Sequence, residues 1–109
     1  MRDITEWQAL CHQNAVSKGW WDEQIVNIPE KLCLIHSEVS EALEDFRNGD
    51  MTTQYTNVCK PVGFPTELAD IVIRCFDLAG RMGIDLGEEI QTKHEYNCKR
   101  PYRHGGKKC

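Results

Sequence analysis

Two short acidic segments carry the strongest chemical signal in the chain. Glu38-Val39-Ser40-Glu41 and Glu67-Leu68-Ala69-Asp70 each set two carboxylates three residues apart. On a helix, residues at that spacing lie about 5–6 Å from each other on neighbouring turns, so each segment aims a pair of carboxylates at roughly one spot. Face to face, the segments would form a site of four acids: Glu38, Glu41, Glu67 and Asp70. Anionic oxygen donors suit a hard divalent cation, Mg²⁺ or alternatively Mn²⁺, which keeps waters and shares its shell with phosphate oxygens. The expected chemistry is a metal-dependent reaction on a phosphorylated ligand.

The elements that must position these acids are helices. Asp3-x-x-Glu6 has capping-box form and opens a first helix that runs to about Lys18, with Gly19 as its stop and Ile4, Trp7, Cys11 and Ala15 on one face. A second helix is expected from Pro29 to about Arg47, ended by Asn48-Gly49-Asp50. Its apolar stripe is Leu32, Ile35, Val39, Ala42, Leu43 and Phe46; at 100° per residue Glu38 and Asp45 lie on one edge, Glu41 further round and Glu44 nearly opposite. A site between packed helices therefore uses Glu38/Glu41 rather than Glu41/Glu44, and Glu44 is a solvated charge. Residues 50–63 have no period and are read as a loop over the site.

Pro65 starts a third helix, ending near Gly83, with Leu68, Ile71, Val72, Cys75, Phe76, Ala79 and Met82 on its main apolar face. Ile73 falls on the polar side, which implies that more than one side of this helix is covered, as a homo-oligomer would do. Arg74 stands one turn after Asp70 and three residues before Asp77, so an ion-pair ladder along the helix is a competing use for these charges. Asp85-x-x-Glu88 caps a fourth helix to about Cys98, stopped by Pro101. Lys93 and Asn97 continue its Leu86/Ile90 face, where they either point into a cleft or mark the end of burial.

At 109 residues the chain is one all-α domain with a small core, for which oligomerisation is a reasonable expectation. No run reaches the roughly 18 apolar residues of a membrane span and the first twenty residues lack signal-peptide form, so a cytoplasmic protein is expected. The six cysteines include no C-x-x-C pair and read as free thiols. Charge is uneven: residues 93–109 hold six basic side chains against Glu95 alone, a net of +5, which leaves −9 on residues 1–92 out of −4 overall. An acidic body fits cations and a basic tail fits phosphate, whereas such a body repels a nucleic-acid partner.

Other metal and nucleotide motifs are missing. Neither His36 nor His94 has a glutamate three residues before it, as a ferritin-type di-iron bundle requires, and His36 is read as structural. There is no phosphate-binding glycine loop, no H-E-x-x-H and no G-x-S-x-G.

Three stretches stand out together: Leu34-Ile35-His36-Ser37-Glu38-Val39-Ser40-Glu41-Ala42-Leu43, Glu67-Leu68-Ala69-Asp70-Ile71-Val72-Ile73-Arg74, and Lys93-x-x-x-Asn97-x-x-Arg100-Pro101-Tyr102-Arg103-His104-Gly105-Gly106-Lys107-Lys108. In their order and spacing they resemble the MazG-like nucleotide pyrophosphohydrolases of the all-α NTP pyrophosphatase superfamily, in their compact single-domain, phage-type form. The resemblance implies four main helices in a bundle completed by a second subunit, as a homodimer or homotetramer. It implies Mg²⁺-dependent hydrolysis of a nucleoside triphosphate to monophosphate and pyrophosphate, with Glu38, Glu41, Glu67 and Asp70 at the metal-binding positions. Ser37 departs from the pattern, since many relatives carry a further glutamate there, and a second cation would be held less tightly.

Under that reading Glu38 or Glu41 takes a proton from the attacking water. Lys93, Arg100 and Arg103 contact phosphate, Asn97 bonds sugar or phosphate, and Tyr96 packs on the ligand. The resemblance puts His12, Trp20 and Trp21 around the base, where an aromatic face can stack, while Trp7 belongs to the core. The reading from another class is a helical protein that binds or senses a nucleotide without turnover.

Overall fold

A computed structural model describes residues 1–22 and 25–102. Four helices dominate it: α1 (Ile4–Ser17), α2 (Ile28–Asn48), α3 (Phe64–Met82) and α4 (Leu86–Cys98). Their starts follow the local chemistry. Asp3, Asn27 and Asp85 accept hydrogen bonds from the backbone N–H of Glu6, Glu30 and Glu88, each tying down a donor that helix geometry leaves without a partner. Prolines stand in the first turns of α2 and α3, where no N–H is needed. Both helices end on left-handed glycines, Gly49 and Gly83, at φ 77° and 69°.

The stretch expected to be a plain loop is a small hairpin. Strands β1 (Gln54–Tyr55) and β2 (Pro61–Val62) pair antiparallel, with Gln54 opposite Val62 and Tyr55 opposite Pro61. The sequence hid it because two-residue strands show no alternation and the turn lacks an Asn-Gly or Asp-Gly signal. Its return is anchored where the Phe64 N–H donates to the Asp50 carbonyl at 2.8 Å. Gly63 has φ 120°, and a Cβ there would run into the carbonyl oxygen of Thr52, so the close approach of the two chain segments needs a glycine.

Helix α3 is the centre of the arrangement, with α2 against one side and α1 against another. That explains Ile73: α1 is the second cover on α3, and Ile73 lines the space between them. Helices α1 and α3 run antiparallel, with Gln8 donating to the Ile84 carbonyl at 2.7 Å and His12 reaching Asp77. They approach closely at Gly80, where an added Cβ would lie 2.8 Å from the Cβ of His12. Helix α4 packs on α1, held by the Leu86 N–H donating to the Gln8 side chain at 3.2 Å.

Packing is shallow. Among the described residues only Ala42, Gly63 and Ala79 are buried. Trp7, expected in the core, is 45% exposed, and Phe46 on the apolar stripe of α2 is 61% exposed. No helix of the described residues is long and apolar enough to cross a membrane.

Candidate functional site

The antiparallel arrangement of α2 and α3 brings three of the four expected acids together. Glu38, Glu67 and Asp70 each offer a carboxylate oxygen, and these oxygens lie within 4.8 Å of one another. Glu41 is exposed and stands outside this trio. Its position further round α2 turns it away from the convergence point, as 100° per residue requires. Glu44 is a surface charge beside Arg47, 3.8 Å away with both side chains largely exposed.

Like charges at this distance must be relieved. Arg74 does part of this: its Nε–H donates to Glu38 at 2.9 Å, across helices, with the Glu38 side chain only 15% exposed. The ladder along α3 therefore gives way to a cross-helix pair. Glu67 takes another route, holding its proton until about pH 7. Burial contributes most, followed by hydrogen bonding to Glu38 and the charges of Asp70, Glu38 and Asp45. Asp70 is also raised, by burial and then by Glu38, with Arg74 and Lys60 pulling the other way.

Three contributors here went unselected in the sequence. Asp45, two turns after Glu38 on the same edge of α2, bears on Glu67 and has an oxygen, Oδ2, that is shut from solvent without a hydrogen-bond partner. Its i+7 spacing was a visible signal. Arg74 was visible too, but its partner was not. Lys60 sits in the hairpin and had no pattern to reveal it.

A cleft of about 250 Å³ runs from Glu38 and Asp70 past Arg74 to Asn14 on α1, Trp20 at its exit and Lys31 near the start of α2. Of the residues expected around the base, Trp20 is on this cleft and half exposed. Trp21 and His12 are held elsewhere. The Trp21 indole N–H donates to Asp77 Oδ1 at 2.7 Å, and His12 Nδ1 meets the same oxygen at 2.8 Å. The Lys31 ammonium lies 4.6 Å from the Trp21 ring centre and the Arg81 guanidinium 5.7 Å from it. His12 and Trp21 thus clasp α1 and its exit to α3 through Asp77.

The expected phosphate contacts lie apart from the acids. Lys93 and Arg100 sit over the Tyr96 ring at 5.2 and 5.4 Å, on the exposed surface of α4, and neither they nor Asn97 line the acidic cleft. Arg103 and the rest of the basic tail lie outside the described residues. The five described cysteines, Cys11, Cys33, Cys59, Cys75 and Cys98, are free thiols. Burial raises the Cys75 thiol, and burial followed by the Asp77 charge raises that of Cys11.

Fold and site define a mainly α-helical chain in which two antiparallel helices bring three carboxylates together, two of them, Glu38 and Asp70, on the cleft. Compared with protein-family models, with curated proteins and with solved structures, the chain matches none.

Proposed function

We propose that this protein is a Mg²⁺-dependent pyrophosphohydrolase that converts a nucleoside triphosphate, ribo or deoxy, to its monophosphate and pyrophosphate. The observation that carries the reading is the convergence of Glu38, Glu67 and Asp70 within 4.8 Å, with Glu38 and Asp70 lining a cleft that also presents Trp20 and Lys31. The motif order that resembles MazG-like pyrophosphohydrolases supplies the reaction.

The donor set fits the cation. Octahedral Mg²⁺ with oxygens at about 2.1 Å separates neighbouring ligands by about 3 Å and opposite ones by about 4.2 Å, so oxygens within 4.8 Å of one another would draw together around the ion. Glu38, Glu67 and Asp70 would hold the ion, with Asp45 at its margin; Mn²⁺ satisfies the same donors. A bound cation supplies neutralisation of phosphate charge and orientation of the attacking water. Among the chain's own groups, Glu38 or Glu41 accepts the proton of that water. Trp20 offers a face to the base, and Lys31 and Arg74 supply positive charge along the cleft.

Lys93, Tyr96, Asn97 and Arg100 join this site only in an assembly that carries α4 across to it. A homo-oligomer, dimer or tetramer, is part of the proposal. The accessible surface is 8710 Å², against about 6,200 Å² for a compact 12.6-kDa monomer. The nine undescribed residues account for at most about 1,500 Å² of the excess at 1.45 Å² per dalton. About 1,000 Å² remains, comparable to the roughly 800 Å² per partner of a standard interface.

The test is pyrophosphate release from a panel of NTPs and dNTPs, with and without Mg²⁺, by wild type, Glu67→Gln and Glu41→Gln. Mg²⁺-dependent release that falls more than about a hundredfold in Glu67→Gln is expected. Nucleotide binding without turnover, by protein shown to be folded and metal-loaded, would replace the enzyme with a non-catalytic nucleotide-binding protein.

A further inference from the structure

Asp45 is an acid whose charge the fold does not answer. Its Oδ2 is shut from solvent and has no hydrogen-bond partner, so the oxygen has given up water and gained nothing in return. The register of α2 on α3 sets it beside the acids already described. The Arg74 Nε–H donates to Glu38 at 2.9 Å across the two antiparallel helices. Seven residues on from Glu38 is Asp45 and seven back from Arg74 is Glu67, so the two come opposite each other two turns along. The charge of Asp45 accordingly bears on Glu67. Asp45 nevertheless stands outside the trio whose oxygens lie within 4.8 Å of one another. Nearby arginines are taken: Arg74 is held by Glu38, and Arg47 lies against Glu44.

We infer that Asp45 is the outer carboxylate of the cation site, its Oδ2 accepting a hydrogen bond from a water on the ion that Glu38, Glu67 and Asp70 hold. The inference rests on the cation-binding part of the proposed function and not on turnover. An oxygen beside one ligand but outside the ligand set suits a cation that keeps several of its waters, as Mg²⁺ does. Outer partners of this kind orient what the ion carries and raise its affinity. Without the ion, the same carboxylate adds its charge to those of Glu38 and Asp70 around Glu67 and works against the fold. Asp45 is thus a positioning residue with opposite effects on metal binding and on metal-free stability, a combination that a residue kept for packing does not give.

The probe is Mn²⁺ titrated into the metal-free full chain and followed by the electron paramagnetic resonance signal of the free ion. Asp45→Asn, which keeps the shape of the side chain, is expected to weaken binding by about 10- to 100-fold. It is also expected to raise the melting temperature measured in chelator, because a neutral amide removes the unanswered charge. Relaxation of water protons by the bound ion, which reports how many waters it holds, should be the same in both proteins. A gained water in Asp45→Asn would make Asp45 a direct ligand and overturn the inference. Mn²⁺ binding that is lost in Glu67→Gln yet unchanged in Asp45→Asn, or a metal-free melting temperature that falls in Asp45→Asn, would overturn it while leaving the cation site in place. No binding by wild type, or binding that Glu67→Gln leaves intact, would remove the cation site and this inference together. The expected pattern in a protein that hydrolyses no nucleotide would remove the hydrolase and leave the role of Asp45 standing.

Discussion

Glu67 is where local chemistry leaves its clearest mark on the behaviour of the molecule. Its carboxyl stays protonated to about pH 7 in the folded chain, against an ordinary value of 4.5. A folded-state pKa raised in this way means that the folded form binds more protons between those values. The contribution to stability is fully present below pH 4.5 and is lost as pH rises toward 7; Asp70 acts in the same direction. Metal-free protein is therefore expected to lose melting temperature across that window. Glu67→Gln should flatten the decline, because a neutral amide does not have to ionise beside Glu38, Asp70 and Asp45. Thermal unfolding in chelator at half-unit steps of pH measures this, and an identical slope in both proteins would refute it. Under the proposed function, Mg²⁺ restores stability at pH 7 in wild type by compensating the same charges.

At the scale of elements, the contact between α1 and α3 decides the shape of the cleft. Gly80 lets α1 come close enough for His12 and Trp21 to share Asp77, and a methyl group there would sit 2.8 Å from His12 Cβ. Gly80→Ala would ordinarily favour a helix interior, but here overpacking is expected to cost about 1–3 kcal/mol. Differential scanning calorimetry should show a fall of several degrees for a domain of this size. A gain in melting temperature would mean that α1 shifts freely and that the Asp77 clasp is loose. The helices themselves were legible residue by residue: Asp3, Asp85, Pro29, Pro65, Gly49 and Gly83 act locally, so their caps and stops stand in the sequence. The hairpin between α2 and α3 was not, since its two-residue strands depend on the return from Asp50 to Phe64.

For the whole molecule, the dominant fact is how little one chain covers. Leu32, Val39, Leu43 and Phe46 on α2, with Leu68, Val72 and Ile73 on α3, are each at least 44% exposed. Trp7, Leu68, Val72, Ile73 and Phe76 line an almost wholly apolar groove between α1 and α3. This is the surface that a second copy covers in the proposed assembly. Under the proposed assembly, sedimentation should find a dimer or larger at micromolar concentration, and Val72→Glu should shift the population to monomer with lower melting temperature. A wild-type monomer at all concentrations would remove the second subunit, and with it the route that brings α4 to the acids.

Sequence by itself determined the four helices, the Asp3 and Asp85 caps, the Gly49 and Gly83 stops, and the candidacy of Glu38, Glu67 and Asp70, because 3.6-residue periodicity and capping act over a few neighbouring positions. Tertiary structure decided which acids meet. The crossing of α2 on α3 favours Glu38, Glu67 and Asp70, leaves Glu41 at the edge and brings in Asp45, Arg74 and Lys60. It also committed His12 and Trp21 to Asp77 while leaving Trp20 on the cleft. Those choices depend on distances between residues tens of positions apart, which no local pattern encodes.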